Sequence, residues 1–79
     1  RIHAVKARQF KFNGLMVRML RKHMKLSSRQ LASRTGLSPN YILLVERGRI
    51  RDPRLSTMCA LAQALGVEVQ QLIFEVPQK

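Results

Sequence analysis

Apolar residues recur along this chain at helical spacing in short stretches, punctuated by Ser, Gly and Pro where helices begin and end. Val17, Leu20 and Met24 (i, i+3, i+7) predict a first helix from about 14 to 24 with that stripe turned inward. Leu15, Met16 and Met19 make it more apolar than one stripe needs, which fits a broad packing face better than a Met-rich ligand box. Ser27 and Gln30 form a capping box, opening a helix that carries Leu31, Ala32 and Thr35 and stops at Gly36, where a left-handed backbone is free of steric cost. Leu37 supplies an apolar plug. Ser38 then caps a third helix whose first position is Pro39, where a missing N–H costs nothing. Ile42 and Val45 give that helix, Pro39 to Arg47, its buried stripe, and Gly48 ends it. Ala32 is small, as two closely crossing helices require.

After a loop that reaches Pro53, a fourth helix is expected from about 56 to 65, burying Met58, Leu61, Ala62 and Leu65 and closed by Gly66. A short fifth helix near 68–74 would bury Val69, Leu72 and Ile73. Residues 1–13 have no helical period. Phe10 and Phe12 alternate as a strand would, while Arg1, Lys6, Arg8 and Lys11 read as a basic arm, and the arm is the expectation adopted. The chain thus divides into a basic arm (1–13), one helical domain (14–74) and a tail or linker (75–79). The fold class is all-α, a compact five-helix bundle.

Seventy-nine residues with 46% apolar content suffice for one small domain with little core to spare. Charge changes the picture more. Up to Arg54 the chain holds 14 Lys and Arg against Glu46 and Asp52, a net +12; beyond it Lys79 faces Glu68 and Glu75, a net −1. A cationic part joined to a near-neutral one points to a polyanion approached from one side. Two helices joined by a tight turn, the second sized for a DNA major groove and followed by Arg47, Arg49, Arg51 and Arg54, point to double-stranded DNA, while the basic arm would also permit a nonspecific nucleoid or RNA binder.

The third helix should therefore present Ser38, Pro39, Asn40, Leu43, Leu44 and Arg47 outward. A carboxamide at Asn40 can bond adenine N6 and N7 together; the competing role is to help cap the helix. Leu44 can press on a thymine methyl, or join Leu43 in a protein contact. Tyr41 either reaches a phosphate through its hydroxyl or packs on the neighbouring helix. The start of the second helix, with Ser28 and Arg29 beside free N–H groups, suits a phosphate. Arg49 and Arg51 suit a second stretch of backbone.

The run LSSRQLASRTGLSPNYILLVERGRIRDPRL, preceded by Gly14, Val17 and Leu20-Arg21 and followed by MCALAQALGVEVQQL, resembles the Cro/CI-type (Xre-like) helix-turn-helix DNA-binding family over about 14 to 74. The specific elements are Leu31-Ala32, Gly36, Ile42, Glu46-x-Gly48 and Ala62-x-x-Leu65-Gly66-Val67. Leu43 and Leu44 depart from it, standing where the family more often has polar residues. The resemblance implies a lambda-repressor-like domain and a transcriptional regulator, a repressor by preference, acting as a homodimer on DNA in the bacterial or phage-infected cytoplasm at the nucleoid. It also implies a structural ion pair between Arg21 and Glu46, and a minor-groove position for Arg54. The alternative from another class is a protein-interaction module, an antitoxin or adaptor, docking a partner through the same surface.

Catalysis finds little support. His3 and His23 are far apart, no ligand spacing joins Cys, Asp or Glu to them, and four acidic residues leave no paired carboxylates for acid–base work. No metal, cofactor or membrane partner is expected, since no apolar run approaches 18 residues and no secretory signal pattern is visible. Cys59, the only cysteine, excludes a disulfide within the chain and is expected among core residues of the fourth helix.

Overall fold

The computed structural model describes residues 9–77. Strand β1 (Phe10–Phe12) leads into helix α1 (Gly14–His23), followed by α2 (Ser28–Thr35), α3 (Pro39–Glu46) and α4 (Leu55–Leu65). A single 3-10 turn (Val69–Leu72) then delivers the chain into strand β2 (Ile73–Glu75). Four α-helices and a two-stranded sheet thus replace the five-helix, all-α bundle expected from periodicity.

The correction has a clear cause. The 3-10 turn buries Leu72 fully and leaves Val69 and Ile73 half-buried, so no further helix is needed to hide them. The chain then extends, and β2 pairs antiparallel with β1 in the register Phe10↔Glu75, Lys11↔Phe74, Phe12↔Ile73. Backbone bonds from Asn13 N–H to the Leu72 carbonyl (2.6 Å) and from Val76 N–H to the Gln9 carbonyl (2.7 Å) continue the ladder. Residues 10–12 are therefore strand and not arm; the rest of the expected arm, 1–8, and the end of the tail, 78–79, lie outside the described residues.

Val17, Leu31, Ala32, Ile42, Val45, Leu61, Ala62, Leu65 and Leu72 form one core drawn from all four helices and the 3-10 turn. Met24, expected in this core, is exposed, and Leu26 is buried instead. Helix α1 ends at His23, one residue before Met24, and Lys25 then adopts a left-handed conformation (φ 59°), which swings Leu26 inward. Cys59 is likewise exposed, on the outer side of α4. Its neighbours Met58, Leu61, Ala62 and Leu65 share a face at helical spacing, and residue 59 is off that face.

Gly14 is buried at the start of α1, where a Cβ would overlap the Val45 carbonyl. Only a residue without a side chain lets α1 cross α3 at this distance. Asn13 caps the helix, its Oδ1 accepting from Met16 N–H at 3.0 Å.

Candidate nucleic-acid interface

Local hydrogen bonds fix the α2–turn–α3 unit. Ser27 Oγ accepts from Gln30 N–H (3.0 Å) while Gln30 Oε1 accepts from Ser27 N–H (2.8 Å), which satisfies two donors that the helix start would otherwise leave open. At the other end Gly36 is left-handed (φ 76°) and its N–H donates to the Ala32 carbonyl (2.9 Å). Thr35 Oγ1 donates to the Leu31 carbonyl (2.9 Å) and accepts from Leu37 N–H (3.3 Å), tying the turn to the helix it leaves. Ser38 Oγ then accepts from Tyr41 N–H (3.0 Å), so Ser38, and not Asn40, caps α3.

Ile42, Val45 and Glu46 are the buried face of α3. Ser38, Pro39, Asn40 and Arg47 are exposed; Leu43 and Leu44 are half-buried. Asn40, Leu44 and Arg47 (i, i+4, i+7) thus run down one outward side of the helix. Tyr41 is half-buried and packs against the core. At the start of α2, Arg29 is exposed and Ser28 half-buried.

The loop after α3 alternates in a way that composition alone hides. Gly48 is left-handed (φ 75°), and Arg49 N–H donates back to the Leu44 carbonyl (2.9 Å). Ile50 packs on the core and Pro53 is buried, so Arg49, Arg51 and Arg54 between and beyond them are turned to solvent. Ile50 is the anchor that orients the loop, and the sequence reading missed it beneath the arginines. Arg51 also borders a cavity of about 340 Å³ with Lys11, Phe12, Gly48 and Ile50, which brings the loop beside β1.

Arg21 and Glu46 join α1 to α3. Nε of Arg21 donates to Glu46 Oε2 (2.6 Å), and Nη2 donates to Oε1 (3.0 Å), a two-pronged charge-assisted contact. Nη1 donates to the Leu26 carbonyl (2.8 Å). Both residues are buried. The hydrogen bond to Glu46 holds the guanidinium pKa above its ordinary, already high value, against the opposing effect of burial. The pair braces the back of α3 while the opposite side of the helix stays open.

Among the described residues no group of three His, Cys, Asp or Glu is placed to hold a metal ion, and no helix is long and apolar enough to cross a membrane.

A helix-turn-helix family model matches residues 17–72. The immunity repressor protein of Bacillus phage phi105 is 40% identical over 62 residues, which span 78% of this chain and 42% of the repressor. The chain therefore covers less than half the length of that relative. Among solved structures, the restriction-modification controller protein of Aeromonas hydrophila superposes with a TM-score of 0.70 at 39% identity, over 75% of this chain and 88% of the controller. SinR, the master regulator for biofilm formation, crystallised in complex with DNA, gives a TM-score of 0.71 at 25% identity over 75% of this chain and 94% of that one.

Proposed function

Because this chain belongs to the Cro/CI-like (Xre-like) helix-turn-helix family, we propose that it is a sequence-specific double-stranded DNA-binding regulator of transcription, acting by binding and not by catalysis. The observation that carries this reading is the outward side of α3: Ser38, Pro39, Asn40 and Arg47 are exposed while the helix is braced from behind by Arg21 and Glu46.

In this reading α3 lies in the major groove with its N-terminal end foremost. Asn40 pairs with an adenine edge, Leu44 covers a thymine methyl, and Ser38 and Pro39 approach the bases at the helix tip. Since Ser38 makes the cap bond, the Asn40 carboxamide is left for a base. Ser28 and Arg29 hold a phosphate at the start of α2, where N–H groups and the helix dipole favour an anion. Arg47, Arg49 and Arg51 hold phosphates farther along, with the Tyr41 hydroxyl as a further donor. Arg54 enters a narrowed minor groove, which would favour A·T-rich sequence through shape and not through base contact.

One such helix reads few base pairs, so a homodimer on an inverted repeat, with half-sites about one helical turn apart, supplies the remaining specificity. The regulator would act in the cytoplasm, at the nucleoid, and by occluding a promoter; the name of the phage relative, an immunity repressor, supports repression. Selection of bound sequences from random duplex DNA tests the proposal. Two related half-sites in inverted order are expected. Recovery of no common sequence at about 0.15 M salt, where binding by counterion release alone weakens sharply, would reject sequence-specific regulation.

A further inference from the structure

The cavity between β1 and the loop after α3 does not stand alone. Beside it lies a second one of about 170 Å³, and the two share Lys11, Phe12 and Arg51 as common walls. The larger, of about 340 Å³, is completed by Gly48 and Ile50. Gly48 leaves room there, since a Cβ at that position would meet nothing within 4 Å. The smaller runs between Phe10 and Ile73 of the sheet and Pro53 and Met58 on the α4 side. Both exist because residues 73–75 extend and pair with β1. The register puts Phe10, Phe12 and Ile73 on one side of the sheet, and Phe12 and Ile73 both line this space.

The two chambers differ in character. The larger has the exposed cations Lys11 and Arg51 in its wall and no acid. Among the described residues, neither cation has an ion-pair partner. The smaller is mostly aromatic and aliphatic, with Asp52 as its one acid. Phe10 stands at its edge with 54% of its surface exposed, so an apolar group laid against that ring would take surface out of water. A carboxylate placed in the smaller chamber would meet the repulsion of Asp52; in the larger it would meet two cations, one of them a guanidinium fork. The charges therefore orient a ligand, acid end in the larger chamber and apolar end in the smaller. Together the chambers fall at the lower end of the roughly 300–1,000 Å³ of small-ligand sites, room for a single ring or a short alkyl chain.

We propose that these chambers form one site for a small amphipathic monocarboxylate, an aryl or short alkyl acid, and that its binding draws Arg51 away from DNA. The site stands on its own geometry. Its effect on DNA rests on the binding reading above, in which Arg51 holds a phosphate, so ligand and duplex compete for one guanidinium.

The test is an amide NMR titration of the whole chain, without DNA, using hydrocinnamate (a phenyl ring on a short carboxylate chain) as the probe. Saturable shifts at residues 10–12, 48–51 and 73 are expected, with a Kd at or below about 10 mM. Hydrocinnamide keeps the ring and loses the charge; acetate keeps the charge and loses the ring. Each should bind at least about tenfold more weakly. K11Q and F10A, changed at exposed positions of the two chambers, should each weaken the probe about threefold. Saturating hydrocinnamate should weaken the duplex that wild type selects by about threefold or more, and that duplex should weaken the probe by the same factor. Equal binding of the amide overturns the anionic class of ligand. An equal response to acetate assigns the shifts to the overall cationic field and overturns the site, as do shifts that are absent or lie elsewhere. Binding that leaves duplex affinity unchanged overturns the competition for Arg51. Failure of wild type to select any duplex defeats the functional reading and the competition with it, while the titration without DNA still decides the site.

Discussion

Replacing Arg21 by Met and Glu46 by Leu, singly and together, probes how α3 is held. Each single change leaves a buried group without its partner. Breaking a buried pair in this way costs about 3 to 5 kcal/mol. The two singles should differ. The Glu46 side chain is 3% exposed, so R21M strands a carboxylate with almost no access to water. In E46L the guanidinium, 11% exposed, keeps the Leu26 carbonyl and some access to water. R21M therefore belongs at the upper end of the range and E46L at the lower. Against roughly 4 to 12 kcal/mol for a domain of this size, either loss is severe. At roughly 4 to 8 °C per kcal/mol, it lowers the melting temperature by at least about 12 °C.

The double variant R21M/E46L removes both charges and fills the space with apolar side chains, so it should recover most of the deficit. Thermal and urea unfolding followed by circular dichroism give the cycle. Single losses under about 1 kcal/mol, the range of exposed pairs, or singles that simply add in the double, would refute the account. The raised Arg21 pKa fixes the pH behaviour. A group raised in the folded state stabilises fully below its unfolded pKa and is lost only as pH rises through the folded one. For an arginine that window is strongly alkaline, so this end of the pair gives a stability flat across neutral pH.

G14A should lower stability by at least about 1 to 3 kcal/mol, because the new methyl meets the Val45 carbonyl and not a yielding side-chain tip; a melting temperature within about 2 °C of wild type contradicts the crossing described. S38A should cost about 1 kcal/mol of stability through the lost cap, read by the same urea unfolding. N40A should leave unfolding unchanged and relax preference at one base position by about 1 to 3 kcal/mol; selected sequences that keep the same preference would count against the Asn40 assignment. C59S should shift stability by less than about 0.5 kcal/mol, and the wild-type thiol should react with a maleimide in the folded state; a thiol that reacts only in denaturant would place it in the core.

The turn between α2 and α3 was legible because its signals are local. Ser27 with Gln30, Gly36, Ser38 with Pro39, and Gly48 each act on backbone groups within four residues, and the structure has the helix ends there. Burial of Ile42, Val45 and Leu61 followed from spacing for the same reason. The sheet was not legible in this way. Phe12 and Ile73 pair across almost the whole chain, and nothing near either residue announces the other. Periodicity read over 68–74 alone then favours one more helix. Met24 escapes a pattern argument because a left-handed lysine is rare, and Cys59 escapes it because a helix apolar all round need not be buried all round. At the interface, the arginines of the loop are conspicuous in composition. The devices that aim them, Ile50 and Pro53 turned inward, show only in three dimensions.

The bond between Val76 and Gln9 brings the two described ends of the chain to one corner of the molecule. Joining them with a short flexible bridge and opening the backbone at an exposed loop would give a permuted chain that keeps the same core. Pulling those ends apart on a force instrument would load the ribbon crosswise, so its bonds would peel singly, like a zip, before any helix yields.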